Sequence, residues 1–289
     1  MPDPLIENVS DTAFWVAHYR AVETKRPDAL FRDPLASVLA GDRGEKIARS
    51  MPMSFWTAWT VVMRTCIIDD FIRWAIQDGV DTVLNLGAGL DTRPYRMELP
   101  ESLLWIEADY PRMIEFKEEK LASEKPCCRL ERVKADLADA GERRRLLADV
   151  NARARKAIVL TEGVVPYLTE EEAGLLADDL RALDHVPYWI VEYLAPQTVK
   201  YRMRGRIRQR MQNAPFKFAP KDWFGFFLKH GWREKETRYL MEEAERRKRA
   251  LELPLIIRAI FVIRVMFLSS AKRQAIRRMT GYILLERSG

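Results

Sequence analysis

Short apolar segments alternate with longer segments of helical periodicity through the middle of the chain. The apolar segments predict five strands, Val83–Leu86, Leu103–Ala108, Arg129–Lys134, Ala157–Thr161 and Tyr188–Tyr193. Helices are predicted between them over Pro111–Ala122, Glu142–Ala152 and Thr169–Leu183. Repeated strand–helix alternation is typical of a parallel sheet that is covered by helices on both faces.

The two ends of the chain carry different patterns. About 80 residues before the first strand are mostly helical in pattern, with breaks at Pro27, Pro34, Gly41, Gly44 and Pro52. After the fifth strand, a helix is predicted over Lys221–His230 and two more strands over Trp232–Tyr239 and Tyr282–Glu286. We therefore predict an α/β fold with a doubly wound, mostly parallel seven-stranded sheet. Residues 1–80 form an N-terminal helical cover and 81–289 the sheet domain, with a helical insertion at about 240–280.

Two segments near the C-terminus have several interpretations. Leu253–Leu268 is apolar but contains Arg258 and Arg264, and it is shorter than the roughly 20 residues that a membrane-spanning helix needs. A buried packing helix, a lid, a dimer surface and a shallow membrane contact all stay open for it. Lys200–Arg210 predicts a helix with an apolar stripe and basic flanks, either solvated or a dock for an acidic carrier protein or an anionic substrate.

Charge and cysteine content restrict the classes of partner and site. The 289 residues carry a net charge of +6, with basic residues concentrated after Gln197. Nucleic acid, lipid headgroups, an acidic carrier and a small carboxylate would all be attracted to such a region. Three cysteines and three scattered histidines make neither a disulfide framework nor a metal site. No secretory signal pattern begins the chain, so a cytoplasmic location is expected.

The first strand continues directly into a glycine-rich turn, in the segment TVLNLGAGLDTRPYR over Thr82–Arg96. Gly87 and Gly89 allow a tight turn and bring bare backbone close to a ligand. A dinucleotide site would have a third glycine at position 92, which is Thr92 here. The carboxylate of Asp91 would repel a pyrophosphate but not S-adenosyl-L-methionine, which has no phosphate. The turn therefore favours a methyl donor over NAD.

Acidic residues follow three later strands, where ligands of open parallel sheets bind. Asp109 can accept hydrogen bonds from ribose hydroxyls, Asp136 from an adenine amino group, and Glu162 can attract the positive charge of the donor. Each acid alone could instead cap the next helix. Their common position at strand ends, together with the glycine turn, favours the ligand site.

These motifs resemble the leucine carboxyl methyltransferase family and its bacterial O-methyltransferase relatives, which are class I methyltransferases. The similarity covers nearly the whole chain. It is carried by the segments VSDTAFWVAHYRAVETKRPDALFRDPLA, VMRTCIIDDFI, LNLGAGLDTRPYR, WIEADYP, VKADLAD and TEGVVPYL. The resemblance implies a Rossmann-like fold and S-adenosyl-L-methionine as the methyl donor.

The resemblance also implies roles for individual residues. Arg64 would reach the carboxylate of the donor, and Gly87 would lie against its methionine portion. Asp109 would hold the ribose, Asp136 with Leu137 would face the adenine, and Glu162 would lie near the amino acid moiety. From the residues alone, an arginine in an apolar helix is more often a surface residue or a member of an ion pair, here with Asp69 or Asp70, so the role of Arg64 rests on the resemblance.

We expect an O-methyltransferase that acts on a carboxylate or hydroxyl of a small, polyketide-like metabolite. Tyr167 is the candidate on the substrate side, whereas His18, His185 and His230 are more simply explained as structural residues. A carboxylate acceptor needs no general base, but a hydroxyl with a pKa of about 10 would benefit from one. The alternatives are a protein C-terminal carboxyl methyltransferase, a nucleic-acid methyltransferase or binder that uses the basic C-terminal part, and a non-catalytic relative.

Overall fold

A computed structural model describes residues 6–51, 54–202, 209, 211–252 and 268–289. The predicted segments at Lys200–Arg210 and Leu253–Leu268 lie largely outside these ranges, as does Pro52. Among the described helices, none is both long and apolar enough to cross a membrane.

Seven strands form a single sheet, and they agree closely with the strands that the apolar segments predict. They are β1 Thr82–Leu86, β2 Leu104–Asp109, β3 Arg129–Lys134, β4 Ala157–Thr161, β5 Tyr188–Leu194, β6 Trp232–Tyr239 and β7 Thr280–Arg287. The order across the sheet is β3-β2-β1-β4-β5-β7-β6. The first five strands are parallel, and β7 runs antiparallel to both β5 and β6. The predicted doubly wound, mostly parallel sheet is confirmed.

Helices cover both faces of this sheet. They are α1 Thr12–Thr24, α2 Leu35–Ser50, α3 Ser54–Gln77, α4 Arg93–Arg96, α5 Pro111–Lys120, α6 Ala140–Arg153, α7 Glu170–Arg181, α8 Pro196–Arg202, α9 Trp223–Lys229, α10 Leu240–Arg246 and α11 Ser270–Arg277. The capping box that predicts the start of α7 is present, because Thr169 and Glu172 bond to each other's backbone N–H groups. Helices α10 and α11 lie between β6 and β7 in the sequence.

Strand side chains alternate between two buried clusters, one on each face of the sheet. Leu84, Val159 and Trp189 belong to the cluster on one face, which α6, α7 and α9 cover. Val83, Ile158 and Ile190 belong to the other cluster, where they pack with Met63, Phe71 and further residues of α3. Strand residues that share a face with Val83, Ile158 and Ile190 therefore point toward α3. This includes the residues of that face at the carboxyl ends of the strands.

Two glycines shape α2 in different ways, one by interrupting it and the other by packing closely against α1. Gly41 has a φ of +49° and interrupts the helical conformation within α2, as the predicted break requires. The break predicted at Gly44 is wrong, because α2 continues through it. A Cβ at Gly44 would lie 2.5 Å from the carbonyl oxygen of Phe14 on α1. Glycine is needed there for the close approach of two helices.

The close approach at Gly44 gives the first prediction. Alanine usually stabilises a helix relative to glycine, but Gly44→Ala should lower the melting temperature by about 2–10 °C because its Cβ meets backbone. Thermal denaturation followed by circular dichroism measures this change. Asp42→Ala, at an exposed position of the same helix, is the control and should leave the transition nearly unchanged. A melting temperature raised by Gly44→Ala would contradict the packing.

Candidate active site

A cavity of about 1040 Å³ opens at the carboxyl ends of β1, β4 and β5. Its lining includes the glycine turn, Asp109, Leu137 and Glu162 on the side of the sheet. Helices α1, α3 and α10 provide the opposite wall, which is largely apolar and aromatic and includes Trp15, Val16, Trp56, Trp59, Leu240 and Met241. Ligands of parallel α/β sheets bind at this position, next to the point where the strand order reverses.

The glycine turn is shaped by two residues in the left-handed region. Gly87 has a φ of +67°, and a Cβ built there would lie 2.5 Å from Cγ2 of Val164. Gly89 has a φ of +47°, and its Cβ would lie 3.2 Å from the Cβ of Ala13 on α1. Both conformations and both close approaches require glycine. Bare backbone therefore faces the cavity at the end of β1.

Asp109 ends β2 and holds the glycine turn from the side. Its Oδ2 accepts a hydrogen bond from the N–H of Gly89 at 2.6 Å, and its Oδ1 accepts one from the N–H of Tyr110 at 2.7 Å. Burial raises the pKa of this carboxyl, although the two N–H groups oppose the rise. A carboxylate oxygen can accept a second hydrogen bond, so Asp109 can bond to the glycine turn and to a ligand hydroxyl at the same time.

Asp136 and Leu137 follow β3 but differ in their exposure to the cavity. Leu137 belongs to the described lining, whereas Asp136 does not. Asp136 Oδ1 accepts the N–H of Ala138 at 2.9 Å, and the backbone N–H of Asp136 donates to Glu142. Asp136 thus shapes the turn that presents Leu137. Its direct contact with adenine stays a prediction.

Arg64 and Glu162, predicted to lie near the amino acid part of the donor, form an ion pair with each other. Nε of Arg64 on α3 is 2.9 Å from Oε1 of Glu162 after β4. The suggested pairing of Arg64 with Asp69 or Asp70 is therefore wrong. Asp69 instead pairs with Arg93 and Arg96, whereas Asp70 pairs with arginines that include Arg73 and Arg238.

Arg93, at the start of α4, joins the glycine turn to the end of β4. Its guanidinium lies 2.7 Å from Asp69 Oδ1, 2.6 Å from Asp91 Oδ2 and 2.8 Å from Glu162 Oε2. The residue is 1% exposed. Burial alone would raise the pKa of Glu162, but Arg93 and Arg64 outweigh it and the net pKa is lowered. Asp91, the acid considered unfavourable for phosphate, therefore has Arg93 as a counter-ion that it shares with Asp69 and Glu162.

The ionic network continues from Arg93 into the N-terminal helices. Thr92, where a dinucleotide site would have glycine, is fully buried and donates a hydrogen bond to Asp33 Oδ2 at 2.6 Å. Arg20 of α1 also bonds to Asp33, at 2.8 Å, and donates to the carbonyl oxygen of Leu90. The glycine turn is thus fixed to the helical cover by charged and polar contacts as well as by packing.

Glu192 is a second carboxyl at the edge of the cavity, and the sequence analysis does not identify it. It lies on β5, is 6% exposed and belongs to the cavity lining. Its Oε1 accepts the N–H of Gly163 at 2.7 Å, but its Oε2 has no hydrogen-bond partner among the described residues. Burial raises the pKa of Glu192 to about 8, against the opposing effect of Arg64.

Tyr167 also lines the cavity, whereas the three histidines do not belong to the described lining. The ring of Tyr167 lies 5.1 Å from that of Phe216, and its role on the substrate side stays a prediction. His230 bonds to Asp178 at 2.7 Å, and His185 contacts the carbonyl oxygen of Arg155. Burial lowers the pKa of His18 on α1. His185 and His230 thus have hydrogen-bond partners outside the cavity lining.

A model of the leucine carboxyl methyltransferase family matches residues 13–181, which include all of α1 but its first residue, the glycine turn and Glu162. The chain belongs to the leucine carboxyl methyltransferase family. A provisionally assigned S-adenosyl-L-methionine-dependent methyltransferase of Streptomyces avermitilis is 30% identical over 255 residues, covering 84% of this chain and 89% of the relative. A similarly assigned protein of Streptomyces coelicolor is 36% identical over 177 residues, covering 57% of this chain and 62% of the relative.

Solved structures support the fold of this family member. A provisionally assigned methyltransferase of Thermobifida fusca is similar with a TM-score of 0.56 at 13% identity, covering 99% of this chain and 97% of that structure. The chain is therefore an S-adenosyl-L-methionine-dependent methyltransferase with a Rossmann-like fold.

The lining of the cavity suits this donor chemically. The turn presents bare backbone without a third glycine, and Asp109 offers carboxylate oxygens of the kind that ribose hydroxyls donate to. Leu137 adds an apolar surface of the kind on which an adenine ring packs. The guanidinium of Arg64 lines the same cavity and matches a carboxylate in charge and shape.

Arg93 and Glu192 are the main residues that the sequence analysis misses. Arg93 lies within the quoted TRPYR segment, where an arginine among polar neighbours gives no sign of complete burial. Glu192 has a clearer signal, because it is the one charged residue of the strand YWIVEYL. Glu192 lies two residues after Ile190, which faces α3, so both side chains point to the same face of the sheet.

The position of Asp109 gives the second prediction. Asp109→Ala removes the carboxylate that is predicted to hold the ribose and also frees the N–H of Gly89, so affinity for S-adenosylhomocysteine should fall about tenfold or more. Isothermal titration calorimetry measures this affinity. Asp149→Ala, at an exposed position of α6, is the control and should bind like the wild type. Wild-type affinity in Asp109→Ala would exclude Asp109 from the donor site.

Proposed function

We propose that this methyltransferase transfers its methyl group to an oxygen, either a hydroxyl or a carboxylate, of a small, apolar, polyketide-like metabolite. The observation that carries the proposal is the continuity of one cavity from the glycine turn into an apolar and aromatic chamber beneath α1 and α3. Its volume of about 1040 Å³ compares with about 300–1,000 Å³ for typical small-ligand sites, so donor and acceptor can share it.

The residues of the chamber support an apolar acceptor with a polar end. Trp15, Trp56 and Trp59 offer flat apolar surfaces on which ring systems pack well. Basic side chains, Lys217 and Arg277, also belong to the lining and would favour an anionic or carrier-bound acceptor. The three unpaired cysteines are consistent with a reducing, cytoplasmic location.

The reaction requires alignment and exclusion of water more than acid–base chemistry at the donor. When bound, S-adenosyl-L-methionine supplies an electrophilic methyl group, which an oxygen attacks in line. The glycine turn and Asp109 would fix the adenosyl portion, and the apolar wall of α1 and α3 would keep water from the reacting oxygen.

The third prediction tests this function directly. The purified protein, incubated with methyl-labelled S-adenosyl-L-methionine and panels of phenols, naphthols, hydroxyanthraquinones, aromatic acids and fatty acids, should transfer label to organic-extractable products. Mass spectrometry should show a gain of one methyl group on oxygen. Label found only in protein or in RNA would instead support the protein carboxyl or nucleic-acid alternative. Absence of label from every fraction would contradict O-methylation of a small molecule.

A further inference from the structure

Glu192 is placed where an acceptor oxygen would have to lie, if the proposed function is correct. Across the sheet, the predicted donor contacts follow the order Leu137 after β3, Asp109 after β2 and the glycine turn after β1. Strand β4 comes next and β5 follows it. A donor that extends from adenine toward its amino acid end along this order leaves the cavity beside β5 for the acceptor.

The side chain of Glu192 is directed to the α3 face and is only partly satisfied. Ile190, two residues earlier on β5, belongs to the cluster beneath α3, so Glu192 projects to the same face. One oxygen holds the N–H of Gly163, but Oε2 is buried without a partner among the described residues. A buried, unpaired polar atom is costly unless a ligand supplies its hydrogen bond.

The neighbouring carboxyl, Glu162, shows the opposite arrangement. Arg64 and Arg93 both contact Glu162, and its pKa is lowered despite burial. Glu192 has no ion pair within the described residues, and burial raises its pKa to about 8. Adjacent carboxyls with pKa values shifted in opposite directions are a pattern of acid–base sites. Glu162 is committed to its arginines, whereas Glu192 can exchange a proton near neutral pH.

We propose that Glu192 is the general base of this methyltransferase and that the acceptor is therefore a hydroxyl, such as a phenol or an enol. The acceptor oxygen forms a bond to the methyl carbon as the carbon–sulfur bond breaks, and that electron pair stays on sulfur. The O–H proton moves to Oε2 of Glu192. The products are a methyl ether, a neutral thioether and a protonated Glu192, so atoms and charge balance. An ionised carboxylate acceptor would have no proton for this group to accept.

The fourth prediction compares Glu192→Gln with wild type, and with Glu171→Gln at an exposed position of α7 as control. Transferred label should be stable to mild alkali, as methyl ethers are, and Glu192→Gln should reduce kcat about 100-fold or more. The wild-type rate should rise with pH through about 8, and this rise should be absent in the variant. Affinity for S-adenosylhomocysteine should change less than twofold.

A stability measurement tests Glu192 without any acceptor. A raised pKa in the folded state means that wild-type stability falls as pH increases from about 4.5 through about 8. Glu192→Gln has no such group, so its melting temperature should exceed that of wild type by roughly 3 °C more at pH 9 than at pH 6. Glu171→Gln should show no such difference.

Four results would overturn the proposal. A kcat of Glu192→Gln equal to that of wild type would show that Glu192 does not accept the proton. Alkali-labile label would identify a methyl ester and a carboxylate acceptor, while leaving O-methylation itself intact. A loss of S-adenosylhomocysteine affinity in Glu192→Gln would place this carboxyl at the donor instead. Equal pH dependence of the melting temperature in variant and wild type would show that Glu192 does not titrate near neutrality. If no label is transferred, the proposed function fails. The stability measurement then still shows whether Glu192 titrates near neutral pH.

Discussion

The carboxylate of Glu162 lies between two guanidinium groups, and the geometry of the cavity depends on this arrangement. Arg64 comes from α3 and Arg93 from the segment after the glycine turn. Arg93 also binds Asp91 and Asp69, so a single buried side chain connects the ends of β1 and β4 with α3. Removing one partner of such a buried pair leaves an uncompensated charge, which costs about 3–5 kcal/mol. The network therefore fixes the relative positions of the elements that form the site.

The same network makes the two sides of the cavity differ in how their acidic side chains are paired. Arginines pair with the acids near the glycine turn, while Glu192 on β5, two strands away from β1, is buried without an equivalent counter-ion. The side toward β1 is therefore suited to binding a charged donor through fixed partners. The side toward β5 combines apolar walls with one carboxyl able to take up a proton. In the proposed mechanism, donor binding lies toward β1 and acceptor chemistry toward β5, with β4 and Glu162 between them.

Local sequence signals predict the sheet well, and they also identify the glycine turn and the acid beside it that line the cavity. The strand that ends in Gly87 and Gly89, and the acid Asp109 at the end of the next strand, are recognisable because each depends on a few adjacent residues. Local signals cannot explain why glycine is needed at position 44, because the need arises from a contact between Gly44 and Phe14 on another helix. Arg93 and Glu192 are missed for the same reason. Their burial and pairing arise only when α3, the turn and β5 are packed together.

The affinity of Arg93→Met for S-adenosylhomocysteine, measured by titration calorimetry at a temperature where the variant is folded, tests the role of this ionic network. We expect a fall of about tenfold or more, because Glu162 and Asp91 lose their shared counter-ion and the turn loses its ionic link to the end of β4. Arg93→Lys, which keeps the charge but not the three-way contact, should give an intermediate affinity. Wild-type affinity in folded Arg93→Met would show that this network does not fix the geometry of the donor site.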